Sequence, residues 1–142
     1  MLEKLIQKIE EYNPHGDFDV IKKAYIFAEE AHAGQLRNSG ERFFVHPFNV
    51  ALILAELNMD TATIAAGLLH DVLEDTDTTY ETLAKEFGEE ITNLVDGVTK
   101  LKKLKYRTKQ EIQAENLRKM VIAMSKDIRV IIIKLADRLQ NI

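Results

Sequence analysis

Residues 61–77 read TATIAAGLLHDVLEDTD, a run of small and large apolar side chains that turns, at His70, into one histidine and four carboxylates. Its apolar positions recur with helical spacing, and nothing in it alternates as a strand with one wet face would. The spacing predicts a helix over 61–75, with His70 one turn before Glu74 and Asp71 one turn before Asp75. AAGLL precedes the cluster and Val72 and Leu73 interrupt it, so much of this helix is expected inside the fold. Burying several carboxylates together opposes their ionisation twice, through lost hydration and through mutual repulsion. A metal ion would remove the conflict.

The same periodicity runs along almost the whole chain. Helices are expected at roughly 2–12, 18–33, 47–58, 61–75, 79–87, 89–100, 109–126 and 128–142, an all-α architecture. Asp17 and Asp60 stand where N-caps belong, and Gly88 follows LAKEF as a C-terminal stop. GQLRNSGERFFVHP at 34–47 breaks the pattern with two glycines and closes on a proline suited to a first helical turn. At 142 residues, with 46% hydrophobic and 30% charged side chains, the chain is sized and composed as one globular domain.

Several function classes are excluded by composition. There is no cysteine, hence no disulfide, thiolate zinc site or cysteine nucleophile. The opening MLEKLIQKIEEYN is an acidic amphipathic pattern and not a secretory signal. The longest greasy stretch, VIIIKLA, is too short to span a bilayer and carries Lys134. The net charge of -4 conceals an asymmetry: residues 1–99 hold 7 basic and 19 acidic side chains, residues 100–142 hold 12 and 4. KLKKLKYRTK at 100–109 carries six of the basic residues, either a solvated face or a wall that draws in a polyanion.

Two further places bear on the acidic cluster. VHP puts His46 at the start of a helix just after the irregular loop, and KLADRLQN puts Asp137 within IRVIIIKLADRLQ, which reads as apolar nearly all round and so central. Each has a plainer reading. His70 could be a satisfied core histidine, Glu74, Asp75 and Asp77 a solvated helix end, and Asp137 an ion-pair partner of Lys134 or Arg138. Together, His46, His70, Asp71 and Asp137 make a set of two imidazoles and two carboxylates that suits a divalent ion such as manganese, iron or zinc. Nitrogen and oxygen donors without sulfur lean toward manganese.

These residues carry a family resemblance. His46, His70–Asp71 and Asp137 match the H…HD…D signature of the HD superfamily of metal-dependent phosphohydrolases. RNSGERFFVHP, LLHDVLEDTDTT, VDGVTKL and AENLRKMVIAMSKDIRVIIIKLADRLQN, from about residue 20 onward, closely resemble the N-terminal hydrolase domain of the RelA/SpoT homologues, bifunctional bacterial enzymes of the stringent response. The resemblance implies an HD-domain helical bundle that hydrolyses the 3′-pyrophosphate of ppGpp and pppGpp to GDP or GTP plus pyrophosphate. It implies Mn2+ held by His46, His70, Asp71 and Asp137, with Glu74 and Asp75 as the acidic pair that serves catalysis. Arg37, Ser39 and Gly40 match a loop that lies against guanine and ribose, and Lys134 and Asn141 match positions near the nucleotide. Asn38 stands where several members have lysine, and Arg42 where proline is usual.

It further implies a cytoplasmic domain, without membrane or direct nucleic-acid contacts, that is a piece of a longer chain also carrying a synthetase domain. Two rival readings remain: an HD phosphohydrolase acting on other nucleotides, and a catalytically silent HD module that binds nucleotide or regulates an attached synthetase.

Overall fold

The computed structural model describes residues 1–102 and 127–141. Among them the backbone forms seven helices: α1 (Leu2–Glu10), α2 (Phe18–Ala31), α3 (Val45–Glu56), α4 (Thr61–Leu69), α5 (Val72–Asp75), α6 (Tyr80–Lys102) and α7 (Ile128–Gln140). The one extended pairing among these residues is an isolated antiparallel bridge between Leu36 and Arg42. The all-α expectation holds. The helix expected at 109–126, and the basic run from 103 onward, lie outside the described residues.

The two expected caps start their helices: Asp17 accepts from the Val20 amide and Asp60 from the Thr63 amide, each at 3.1 Å. Gly88, at φ +84° and ψ 169°, interrupts α6 where the sequence placed a stop. Only glycine adopts that conformation without strain. Loop 32–44 is folded back on itself by Arg37 N–H donating to Glu41 O at 2.8 Å and Phe43 N–H donating to Gln35 O at 3.0 Å. Gly40 turns its tip at φ +88°.

The centre of the fold is α4. Every residue from Thr63 to Leu69 is buried, and α2, α3, α6 and α7 all pack on it. Small residues make this approach feasible. A Cβ added at Gly67 would stand 2.5 Å from Leu54 Cδ1 of α3, so α3 and α4 meet at a distance that excludes even alanine without repacking.

Two expectations are corrected here. Residues 61–75 are not one helix, because α4 ends at Leu69, His70 and Asp71 form a turn, and α5 is a single turn beyond it. The cause lies in His70 itself. The Gly67 carbonyl, which a continuing helix would offer to the Asp71 amide, receives instead the His70 side chain through Nδ1 at 2.6 Å and the His70 amide at 3.4 Å. Nor is α7 buried all round. Val130, Ile133, Ala136 and Asp137 face inward, while Ile128, Leu135 and Leu139 are more than half exposed. A uniformly apolar composition concealed an ordinary amphipathic placement.

Candidate metal centre

Three elements deliver the site. His46 is the second residue of α3, His70 closes α4, and Asp137 lies in the last third of α7. All three are buried, and one ligand atom from each falls within 4.8 Å of the others. His46 Nε2 is 2.6 Å from Asp137 Oδ1. His70 Nε2 is 3.4 Å from that same oxygen and 3.2 Å from Asp71 Oδ2. The two rings stand 5.3 Å apart at 69°. Three of the four residues expected to hold a cation converge in the core, and Asp71 adjoins them through His70.

The far side of each ring fixes its orientation. His70 Nδ1 donates to the Gly67 carbonyl at 2.6 Å, which turns Nε2 toward the carboxylates. That Nε2 is buried and makes no hydrogen bond among the described residues, yet two carboxylate oxygens lie within 3.4 Å of it. A ring nitrogen and carboxylates so placed in a dry interior need a proton or a metal cation between them. His46 is held from both sides, its Nδ1 lying 2.5 Å from Gln140 Oε1 and its Nε2 hydrogen-bonded to Asp137 Oδ1 at 2.6 Å. Outer hydrogen bonds that set the imidazole tautomer are the usual support of a metal-binding histidine. The donor set and its supports fit a divalent cation.

Around this centre the other candidates fall into two groups. Lys134 Nζ reaches Asp137 Oδ2 at 3.2 Å, and Asn141 Nδ2 donates to the Asp137 main-chain oxygen at 3.1 Å. Asn141 Oδ1 accepts from Arg37 Nη2 at 2.7 Å. Three of the five expected substrate contacts, Arg37, Lys134 and Asn141, thus form one chain of hydrogen bonds ending on Asp137. Ser39 and Gly40 sit at the exposed loop tip, and Glu74 and Asp75 are exposed on α5, directly after His70 and Asp71. The ion pair proposed between Asp137 and Lys134 is present as well, so the plain and the functional readings of Asp137 coexist.

Three participants were missed. Gln140 orients His46; its signal was only its place one turn after Asp137. His32 is buried at 2% exposure, and Gln35 bonds to it, Nδ1 to Oε1, at 3.1 Å. Nothing in AHAGQ marks either residue beyond a spacing of three.

The HD domain model matches residues 24–142. The chain belongs to the HD-domain family. Within that family its relatives are of the RelA/SpoT type. The HD domain is 54% identical over 136 residues to a GTP pyrophosphokinase of Myxococcus xanthus, covering 94% of this chain and 18% of that one. It is 52% identical over 141 residues to the bifunctional (p)ppGpp synthase/hydrolase SpoT of Escherichia coli, covering 99% and 20%. The chain therefore spans about a fifth of the length of these curated relatives. A solved metazoan orthologue of SpoT, described as hydrolysing ppGpp, superposes with a TM-score of 0.70 at 32% identity, covering 86% of this chain and 67% of that one. An HD fold implies a divalent metal, in agreement with the cluster of His46, His70 and Asp137. No helix among the described residues is long and apolar enough to cross a membrane.

Proposed function

We propose that this HD domain hydrolyses the 3′-pyrophosphate of ppGpp and pppGpp, with Mn2+ held by His46, His70, Asp71 and Asp137. The observation that carries the reading is the convergence of two buried imidazoles with buried carboxylates, in a chain whose relatives are named for ppGpp hydrolysis. In the reaction, water oxygen bonds to the proximal phosphorus of the 3′-diphosphate, the bond from that phosphorus to the 3′-oxygen breaks, and the 3′-oxygen takes a proton. The ion, when bound, acidifies water and withdraws charge from a phosphoryl oxygen.

The residues of the chain do the rest. Of the exposed pair Glu74 and Asp75, one carboxylate orients the attacking water or accepts its proton. Arg37 lays its planar guanidinium on the guanine, a use for which lysine would not substitute. Ser39 and Gly40 shape the loop beside the ribose, and Lys134 and Asn141 hold Asp137 while facing the phosphates. A cytoplasmic location is proposed with this nucleotide substrate. In the longer relatives a synthase accompanies the hydrolase, and the same partnership is proposed for this chain.

The test is pyrophosphate release from ppGpp with manganese by the wild-type chain, Asp71→Ala and Glu74→Gln. Asp71→Ala is expected to lose both manganese and turnover, and Glu74→Gln to keep manganese and lose turnover by about 10²-fold or more. Equal release by all three would refute the mechanism. Faster hydrolysis of deoxynucleoside monophosphates would assign the site to another HD phosphohydrolase, and nucleotide binding without release would mark a silent module.

A further inference from the structure

Buried histidine accounts for two metal ligands and leaves a third unexplained. His32, at the end of α2, is 2% exposed and stacks on Phe43, centroids 4.7 Å apart and planes at 24°. Its Nδ1 meets Gln35 Oε1 at 3.1 Å, and Gln35 Nε2 donates to the main-chain oxygen of Asp75 at 2.9 Å. A carbonyl only accepts, which fixes the orientation of the Gln35 amide. It also fixes the proton of His32 on Nδ1.

The position of that bond gives it meaning. α5 is one turn long, and the Asp75 carbonyl belongs to its last turn, where no intrahelical donor exists. Within the turn, Asp75 N–H reaches Asp71 O at 2.9 Å, and the Thr76 hydroxyl donates to Val72 O at 2.6 Å. A four-residue helix cannot hold its own shape by these alone. Gln35 supplies the outside donor, and it also founds the loop that carries Arg37, Ser39 and Gly40, since its main-chain oxygen receives the Phe43 amide at 3.0 Å.

We infer that Gln35, braced by His32, is a positioning residue that locks the turn bearing Glu74 and Asp75 to the base of the Arg37–Gly40 loop, so that acid pair and nucleotide-facing loop keep one spacing. This inference rests on the hydrolase reading above. Arg37, through Asn141, fastens the tip of the same loop to α7, and Gln35 fastens its base to α5. The loop is thereby referred to both halves of the chemistry. Misplacement of a reacting group by about 1 Å costs on the order of 10²-fold in rate.

Two variants of the full chain test it. Gln35→Met keeps length and removes both polar groups; Gln35→Lys restores a donor toward the Asp75 carbonyl. Steady-state ppGpp hydrolysis is expected to show kcat lowered about 10- to 100-fold in Gln35→Met, with KM and manganese affinity within about twofold, and largely recovered in Gln35→Lys. Amide hydrogen exchange without metal or substrate is expected to rise in residues 70–79 for Gln35→Met alone, with the thermal midpoint little changed. Unchanged kcat in Gln35→Met overturns the inference. So does a loss shared equally by kcat, manganese affinity and melting temperature, which marks a merely structural bond. If the wild-type chain releases no pyrophosphate, the hydrolase reading itself fails; the exchange data then report a tether without catalytic purpose, and the catalytic role of Gln35 falls with it.

Discussion

Gln140, through its contact with His46, should control how tightly the HD domain holds a divalent metal. His46 is pinned from both sides, Nδ1 2.5 Å from Gln140 Oε1 and Nε2 2.6 Å from Asp137 Oδ1. The amide oxygen holds a proton on Nδ1, so that Nε2 is the nitrogen a cation would take from Asp137. In Gln140→Leu, similar in size but without an acceptor, the proton is better placed on Nε2, where Asp137 accepts it. Every ion that binds must then displace it. The lost preference equals one hydrogen bond, about 0.5–1.5 kcal/mol, and second-shell changes at histidine ligands weaken binding by about 10- to 100-fold. The expected loss of manganese affinity is thus about tenfold, or about 1.4 kcal/mol. Gln140→Glu, whose carboxylate accepts more strongly from Nδ1, should bind at least as tightly as wild type. Free manganese is read by electron paramagnetic resonance in a titration near neutral pH, with folding checked by circular dichroism. Affinity of Gln140→Leu within twofold of wild type would refute the tautomer argument.

Two stability predictions follow from the packing. Gly67→Ala sets a methyl group 2.5 Å from Leu54 Cδ1; overpacking costs about 1–3 kcal/mol, and helix propensity returns about 1 kcal/mol, so urea melts should show a net loss of about 1 kcal/mol, and a gain would mean that α3 and α4 separate freely. Asp127 caps α7 through the Arg129 amide at 2.9 Å, and its side-chain hydrogen bonds to the Arg129 guanidinium hold its carboxyl below the usual range. A carboxyl lowered by folding stabilises the protein above its unfolded pKa, about 3.9, and that contribution disappears as pH falls through the lower folded value. Asp127→Asn should accordingly be less stable than wild type at pH 6 by chemical denaturation with chelator present, and the gap should narrow below about pH 4; a gap that widens on acidification would contradict the pairing.

Much of this was written into the order of residues. Helical periodicity and the caps Asp17 and Asp60 are local properties, set by side chains within a turn of one another, and they read correctly. His46, His70, Asp71 and Asp137 could be singled out because histidine and aspartate are conspicuous among Ile, Leu and Ala, and all four are buried, where their charge is a problem that a cation or a partner resolves. Gln140, Gln35 and His32 escaped for the opposite reason. A glutamine acquires its role from whichever group the fold brings to it, and Gln35 meets an oxygen forty residues away. The outward face of α7 was misread because composition does not say which way an isoleucine points.

The break at His70 is where sequence reasoning failed, and the metal centre depends on that failure. In a straight helix adjacent side chains diverge by about 100°, so a histidine and the aspartate after it would not serve one ion. Here His70 takes the Gly67 carbonyl for its own Nδ1, the ladder to Asp71 is given up, and Asp71 turns back until Oδ2 is 3.2 Å from His70 Nε2. One interaction does three things: it ends α4, orients the ring of His70, and brings Asp71 to the same side. It also leaves α5 as a separate single turn, which packs on α6 through the core and is tied to the loop by Gln35. The sacrificed backbone bond is worth about 1 kcal/mol, less than one ligand contributes to holding a divalent ion. A variant such as His70→Leu, which frees the Gly67 carbonyl, should therefore lengthen α4 through residue 71 as it abolishes metal binding, a gain of helix that circular dichroism and backbone chemical shifts would register. If α4 still ended at Leu69 in that variant, the helix end would have to be set by packing against α3 and α6, and the histidine would be its passenger.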